Sequence, residues 1–253
     1  MKKNFSISTK VVVLAMAMVL ALGCGIGGTL AWLMDTTQKV TNTFTVGNVD
    51  IILKESPYNP STGKYSDPEE GVENEYPAIP GATYKKDPVV AVHEVSENCY
   101  LFVEFKYTTA AKEYLNYNST LTSANGWTQV GTTAVDSEEG TTTEVWYRKV
   151  MKGASAEDRT WELLDDLGNG HAADITLEIR TDSVTNQTME TAAAQKLEWK
   201  AYAVQMDYLK DSSNNDISAG TDENAAAAWE LVKDKNDTYT TPTTASSDAG
   251  TNP

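Results

Sequence analysis

Apolar and polar side chains alternate through residues 100–107. Leu101, Val103, Phe105 and Tyr107 fall on one side of an extended chain, and Phe102, Glu104 and Lys106 fall on the other. A period of two marks a strand with one buried face, so the odd-numbered face is read as the core face. Strand signals bounded by turn residues recur at 43–53, 89–95, 126–130, 144–151, 174–181 and 197–209. This recurrence predicts an all-β chain, a β-sandwich with a single core. In the last run Leu197, Trp199, Ala201, Ala203 and Gln205 share one side, and Glu198, Lys200, Tyr202, Val204 and Met206 the other. Neither side is wholly apolar, so the orientation of that strand stays open.

Helix signals are few and predict one or two short peripheral helices. Thr221 is a capping residue, Asp222 and Glu223 sit where the helix dipole favours acids, and an alanine run leads to Lys233. Ala228, Leu231 and Val232, with Trp229 nearby, would pack this helix on the sheet. A second candidate covers 188–196. Residues 55–86, rich in proline and acids, read as a long loop, and residues 238–253 as a disordered Thr/Ser-rich tail. The tail shows no sorting motif, which argues against covalent attachment to a cell wall. The expected organisation is a signal peptide over 1–31, a β-sandwich domain over 32–237 and the tail.

The N-terminus reads as an export signal. Lys2, Lys3 and Lys10 precede a twelve-residue apolar run over 11–22, and Thr29-Leu30-Ala31 places small side chains where signal peptidase cuts. Twelve residues fall short of the roughly 20 that span a bilayer. Cleavage between Ala31 and Trp32 is expected, rather than lipidation at Cys24, because Ala21-Leu22-Gly23 fits a lipoprotein box only at its last place. Cleavage removes three lysines and no acid, which leaves 17 basic against 36 acidic residues and moves the formal net charge from −16 to −19. Such a surface repels nucleic acid and anionic membrane, and keeps an exported chain in solution. Cys99 would be the one cysteine left, so no internal disulfide is expected; it reads as a small buried hydrophobe.

Chemistry-bearing motifs are sparse. His93-Glu94-Val95-Ser96-Glu97 looks like a zinc-protease HExxH with its second histidine replaced by glutamate, which would need one helical turn to bring two ligands together. Its neighbours predict a strand instead, which would hold His93 and Glu97 about 13 Å apart, with Ser96-Glu97-Asn98 as a hairpin turn. The other histidine, His171, lies in a glycine-rich turn. There is no GxSxG element and no phosphate-cradling glycine loop. Calcium is the one cofactor left open, at Asp211 to Asp216 with Asp222, or among Asp67, Glu69, Glu70, Glu73 and Glu75. The first segment lacks the glycine an EF-hand turn requires, so solvated polar turns are the expected outcome. No catalytic, metal or cofactor-binding residue is assigned.

The run GGTLAWLMDTTQKVTNTFTVGNVDIIL, residues 27–53, resembles the start of proteins exported by the SipW-type signal peptidase, the family of TasA and camelysin. The matching elements are Gly27-Gly28-Thr29, the segment 32–35, and a first-strand motif carried by Phe44, Val46, Gly47, Val49 and Ile51. Residues 80–87, 99–103, 199–205 and 225–233 are also similar to that group. The resemblance implies a jelly-roll-like sandwich, secreted from a Gram-positive bacterium, that assembles into biofilm matrix fibres. Its N-terminal strand, residues 32–40 with Trp32, Leu33, Met34 and Val40, would complete the sheet of the next copy after signal peptidase has freed it. The partners expected are further copies of the chain and other matrix proteins, with the membrane met only through the uncleaved signal. The alternatives are a monomeric adhesion module that binds a matrix protein or glycan through aromatics such as Trp127, Trp146 and Tyr147, and a camelysin-like metalloprotease.

Overall fold

A computed structural model describes residues 34–37, 49–168, 174–184 and 188–233. The strand read at 100–107 is β8 (Cys99–Thr108), in the middle of a six-stranded antiparallel sheet. β13 (Thr141–Val150) pairs along one side of it and β17 (Leu197–Gln205) along the other. Outside β17 lies β1 (Met34–Thr37), while β11 (Thr128–Gln129) and β12 (Ala134–Asp136) both pair with β13. A second sheet orders β14 (Thr160–Glu162), β7 (Val89–Val92), β2 (Ile51–Glu55) and β5 (Glu69–Glu70). A third sets β16 (Leu177–Ile179) between β6 (Thr83–Tyr84) and β9 (Leu115–Asn116). Two small ribbons pair β3 (Tyr58–Asn59) with β4 (Lys64–Tyr65), and β10 (Asn118–Ser119) with β15 (Leu164–Asp165). The helices are short: α1 (Ala111–Tyr114), α2 (Met189–Ala193) and α3 (Asp222–Val232).

The main core forms where Leu101, Val103 and Phe105 of β8 and Trp199, Ala201 and Ala203 of β17 meet Ile51 of β2 and Val90 and Val92 of β7. Val49 and Ile51 of the first-strand motif are buried there, at 5% and 1% exposure; Phe44, Val46 and Gly47 lie outside the described residues. This core also orients β17, whose odd-numbered residues face inward.

The opposite face of β8 is not the solvent face that alternation suggests. Tyr100 and Phe102 are as deeply buried as Leu101, because α3 covers that end of the sheet. Trp229 of α3 packs against Phe102 and, edge-on, against Tyr202, with ring centroids 5.5 and 5.1 Å away. Thr221 caps the helix by accepting the Asn224 N–H at 3.2 Å, and the Tyr147 hydroxyl donates to the first-turn Asp222. Beyond the helix the same face turns charged: Glu104, Lys106, Glu198 and Lys200 lie there, with Lys106 on Glu139 at 2.7 Å and Lys200 on Glu198 at 3.3 Å.

Residues 55–86 are ordered, contrary to the unstructured loop their composition suggests. They contribute β3 to β6 and a cluster of Tyr58, Tyr65, Tyr76 and Tyr84, whose neighbouring ring centroids lie 4.9–5.6 Å apart. The four aromatic rings supply the apolar surface that proline, glycine and acidic residues lack. The hairpin turn expected at 96–98 lies elsewhere. The chain instead turns at 94–95, where the Ser96 N–H donates to the His93 carbonyl at 3.0 Å, and crosses from β7 in one sheet to β8 in another.

Candidate functional site

A strand added to a sheet edge is bound through its main chain, and the outer edge of β17 is one of the sheet edges of the fold where such a strand can sit. β1 occupies it, antiparallel, with Met34 opposite Val204, Asp35 opposite Ala203, Thr36 opposite Tyr202 and Thr37 opposite Ala201. The receiving residues are fixed from both faces, since Ala201 and Ala203 belong to the main core and Tyr202 and Val204 to the cluster under α3. Trp32, Leu33 and Val40, like the cleavage site Ala31, lie outside the described residues. Met34, the described member of the expected assembly strand, is thus paired with β17 of its own chain.

His93 follows β7 and is exposed. Its backbone does the structural work: the N–H donates to the Asp50 carbonyl at 2.8 Å and its carbonyl accepts from Arg159 Nη1 at 2.8 Å. Glu97 is engaged elsewhere, with Lys152 Nζ 2.6 Å from its carboxylate. Among the described residues no group of three or more histidine, cysteine, aspartate or glutamate side chains is placed to hold a metal ion; His171 lies outside them. His93→Ala is therefore expected to change stability by no more than about 0.5 kcal/mol. Urea unfolding with a zinc titration checks this, and stoichiometric zinc lost in the variant would revive the protease reading.

The open calcium question meets a polar turn at Asp211. Its carboxylate accepts from the Asn215 side-chain amide at 2.9 Å and from the N–H groups of Asn215 and Ser213 at 2.8 and 2.9 Å, and these bonds, the Asn215 side chain first, hold its pKa below the usual carboxylate range. Asp216 likewise accepts from the hydroxyl and N–H of Ser218. Both carboxylates already serve as turn acceptors.

The aromatics read as an exposed recognition surface are mostly interior. Trp127 and Tyr147 are 2% and 3% exposed, and Trp146 is half-buried with its indole N–H on Glu144 at 3.1 Å. The Arg148 guanidinium lies 4.5 and 4.6 Å from the ring centroids of Trp127 and Trp161, which meet edge-on 6.0 Å apart, so one cation contacts both rings. Gly126 lies beneath it with φ of 78°, where a Cβ would meet the guanidinium at 2.7 Å. Cys99 is fully buried, and burial pushes its thiol up to about 12, with the charge of Arg159 as a smaller opposing influence.

The polar cluster that sequence reading passed over is centred on Glu55, at the end of β2. Glu55 and Lys86 are 9% and 7% exposed, with Lys86 Nζ 3.0 and 3.2 Å from the two carboxylate oxygens. Asn74 Nδ2 and the Tyr76 hydroxyl donate to the same Oε1 at 2.9 and 3.1 Å. Burial first, then the Glu55 charge, drives the Tyr76 pKa upward, so its hydroxyl remains a donor. Close by, Asp87 takes the N–H and hydroxyl of Ser56 at 2.9 and 2.8 Å; burial pushes its pKa up, but these bonds and Lys85 prevail and hold it below the usual range. The sequence signal was present, a lysine and a glutamate at the two ends of a segment holding four tyrosines, yet nothing local showed that the ends meet. No protein-family model matches the chain, and no curated protein or solved structure matches it.

Proposed function

We propose that the chain is a secreted, non-enzymatic structural subunit of extracellular matrix fibres, a jelly-roll-like β-sandwich of the TasA and camelysin kind that joins to its neighbours by exchanging β1. The observation that carries this reading is the edge of β17, filled by the four-residue strand β1. The bonds β1 makes there are main-chain bonds, so an identical segment from another copy makes the same set. The thirteen residues between Thr37 and Ile51 can extend to about 40 Å, enough to reach a neighbouring subunit. Exchange of an identical element is a low-cost route to association, and head-to-tail exchange that does not close yields a filament. Under this reading a signal peptidase of Gram-positive bacteria frees the strand, the cell surface or matrix receives the product, and no cofactor takes part. The residues near the resemblance motif, Phe44 to Ile51, serve the subunit's own fold.

Deleting residues 32–39 is the test. The truncated protein should stay folded, with a melting transition within about 4–8 °C of the parent's, and should give no filaments by negative-stain electron microscopy. A free peptide covering 32–40 should cap parent filaments rather than extend them. Polymerisation of the truncated protein, or its unfolding, would show that the edge of β17 is not the joint.

A further inference from the structure

We infer that Lys86 and Asn74 join in an intramolecular isopeptide bond, formed by the folded chain itself with Glu55 as the proton carrier. The parts of an amide-exchange reaction stand together here: an amine, a carboxamide, a carboxylate touching both, and cover from water. Lys86 Nζ and Asn74 Nδ2 both lie on Glu55 Oε1, at 3.0 and 2.9 Å, which keeps the two nitrogens within about 6 Å of each other. The ring centroids of Trp199 and Tyr76 are 5.2 and 5.6 Å from Nζ. The Lys86 backbone is held on both sides, its N–H donating to Thr176 Oγ1 at 2.6 Å and its carbonyl accepting from the same hydroxyl.

The amide orientation follows from its partners. Asn74 Nδ2 faces two acceptors, Glu55 Oε1 and the Ser56 carbonyl, both at 2.9 Å, while Oδ1 accepts the Tyr58 N–H at 2.7 Å. That N–H polarises the carbonyl and holds the negative charge that develops on Oδ1 during attack. Glu55 takes one proton from the Lys86 ammonium, and the freed lone pair forms the Nζ–Cγ bond while the carbonyl pair moves onto Oδ1. The intermediate collapses by breaking the Cγ–Nδ2 bond as Glu55 returns the proton to Nδ2. The new amide nitrogen sheds its extra proton through the same carboxylate to the departing ammonia. An ammonium and a carboxamide become a secondary amide and an ammonium ion, with Glu55 restored as carboxylate and no oxidant consumed. Such a bond would staple the stretch that follows β5 to the irregular segment between β6 and β7, in a chain whose described cysteine, Cys99, is free.

Intact mass spectrometry of the purified protein, followed by peptide mapping, decides the matter. The expected result is a mass about 17 Da below that of the chain with the same termini, the ammonia lost, and a branched peptide joining Lys86 to Asn74 that survives denaturation and reduction. Asn74→Ala and Glu55→Gln, made separately, should each return the full mass. A parent protein at full mass overturns the proposal whether or not the variants fold. So does a deficit that persists in Asn74→Ala or maps to another residue.

Discussion

Arg159→Ala is expected to lower the unfolding free energy by about 3–5 kcal/mol, and Arg159→Lys to recover only a minor part of the loss. Arg159 is fully buried and faces carbonyls rather than a carboxylate: Nη1 donates to His93 at 2.8 Å, a weaker contact reaches Ser96 at 3.4 Å, and Nη2 donates to Met151. These acceptors belong to the β7–β8 crossover and to the chain just after β13, so one planar fork ties two separate segments. Removing it leaves buried acceptors without donors, each costing about 1–3 kcal/mol. Lysine supplies the charge but not the rigid fork. Urea unfolding of the three proteins measures this. A loss below about 1 kcal/mol in the alanine variant would mean that the crossover relaxes around the gap.

Phe102→Ala should cost a similar amount, about 3–5 kcal/mol, and should weaken the near-ultraviolet signal of Trp229 as α3 loosens from the sheet. Phe102 is fully buried and packs against Trp229, Tyr100 and Tyr147. Lys106→Ala, four residues along the same face, is the control and should stay within about 0.5 kcal/mol, since its ammonium sits at the surface on Glu139. Alternation in β8 taken alone puts Phe102 outside, and so predicts a small effect. A near-neutral Phe102→Ala would therefore restore the one-sided reading and remove the layer under α3.

The two readings of Phe102 mark what local pattern can and cannot convey. Alternation correctly places Leu101, Val103 and Phe105 in the main core, because side-chain direction is a property of the strand itself. It cannot report a helix that arrives 120 residues later to cover the other face. The capping pattern at Thr221 was legible for the same reason that β8 was, since a cap is satisfied within three residues. Residues 55–86 went the other way: their prolines and acids resemble those of a solvated loop, while what orders them is the meeting of Tyr58 with Tyr84 and of Glu55 with Lys86. The edge of β17 could be foreseen as a strand but not as an edge, because edges are defined by which strands fail to pair. Trp127 reads as a surface ring because the stacking of Arg148 over it joins β13 to the residue before β11, which no local pattern shows.

The pairing of β1 with β17 joins the first described element of the chain to the last described strand. As the polypeptide emerges from N- to C-terminus, Thr37 is available long before Leu197, and the edge that receives it is complete only when β17 has docked on β8. Contacts between such distant segments close late in folding. Under the proposed strand exchange, β1 is committed to no copy during that interval, and the concentration of finished neighbours sets whether it closes on its own sheet or on another's. Under that proposal the order of synthesis, rather than any difference in bond strength, is the timer that separates monomer from polymer.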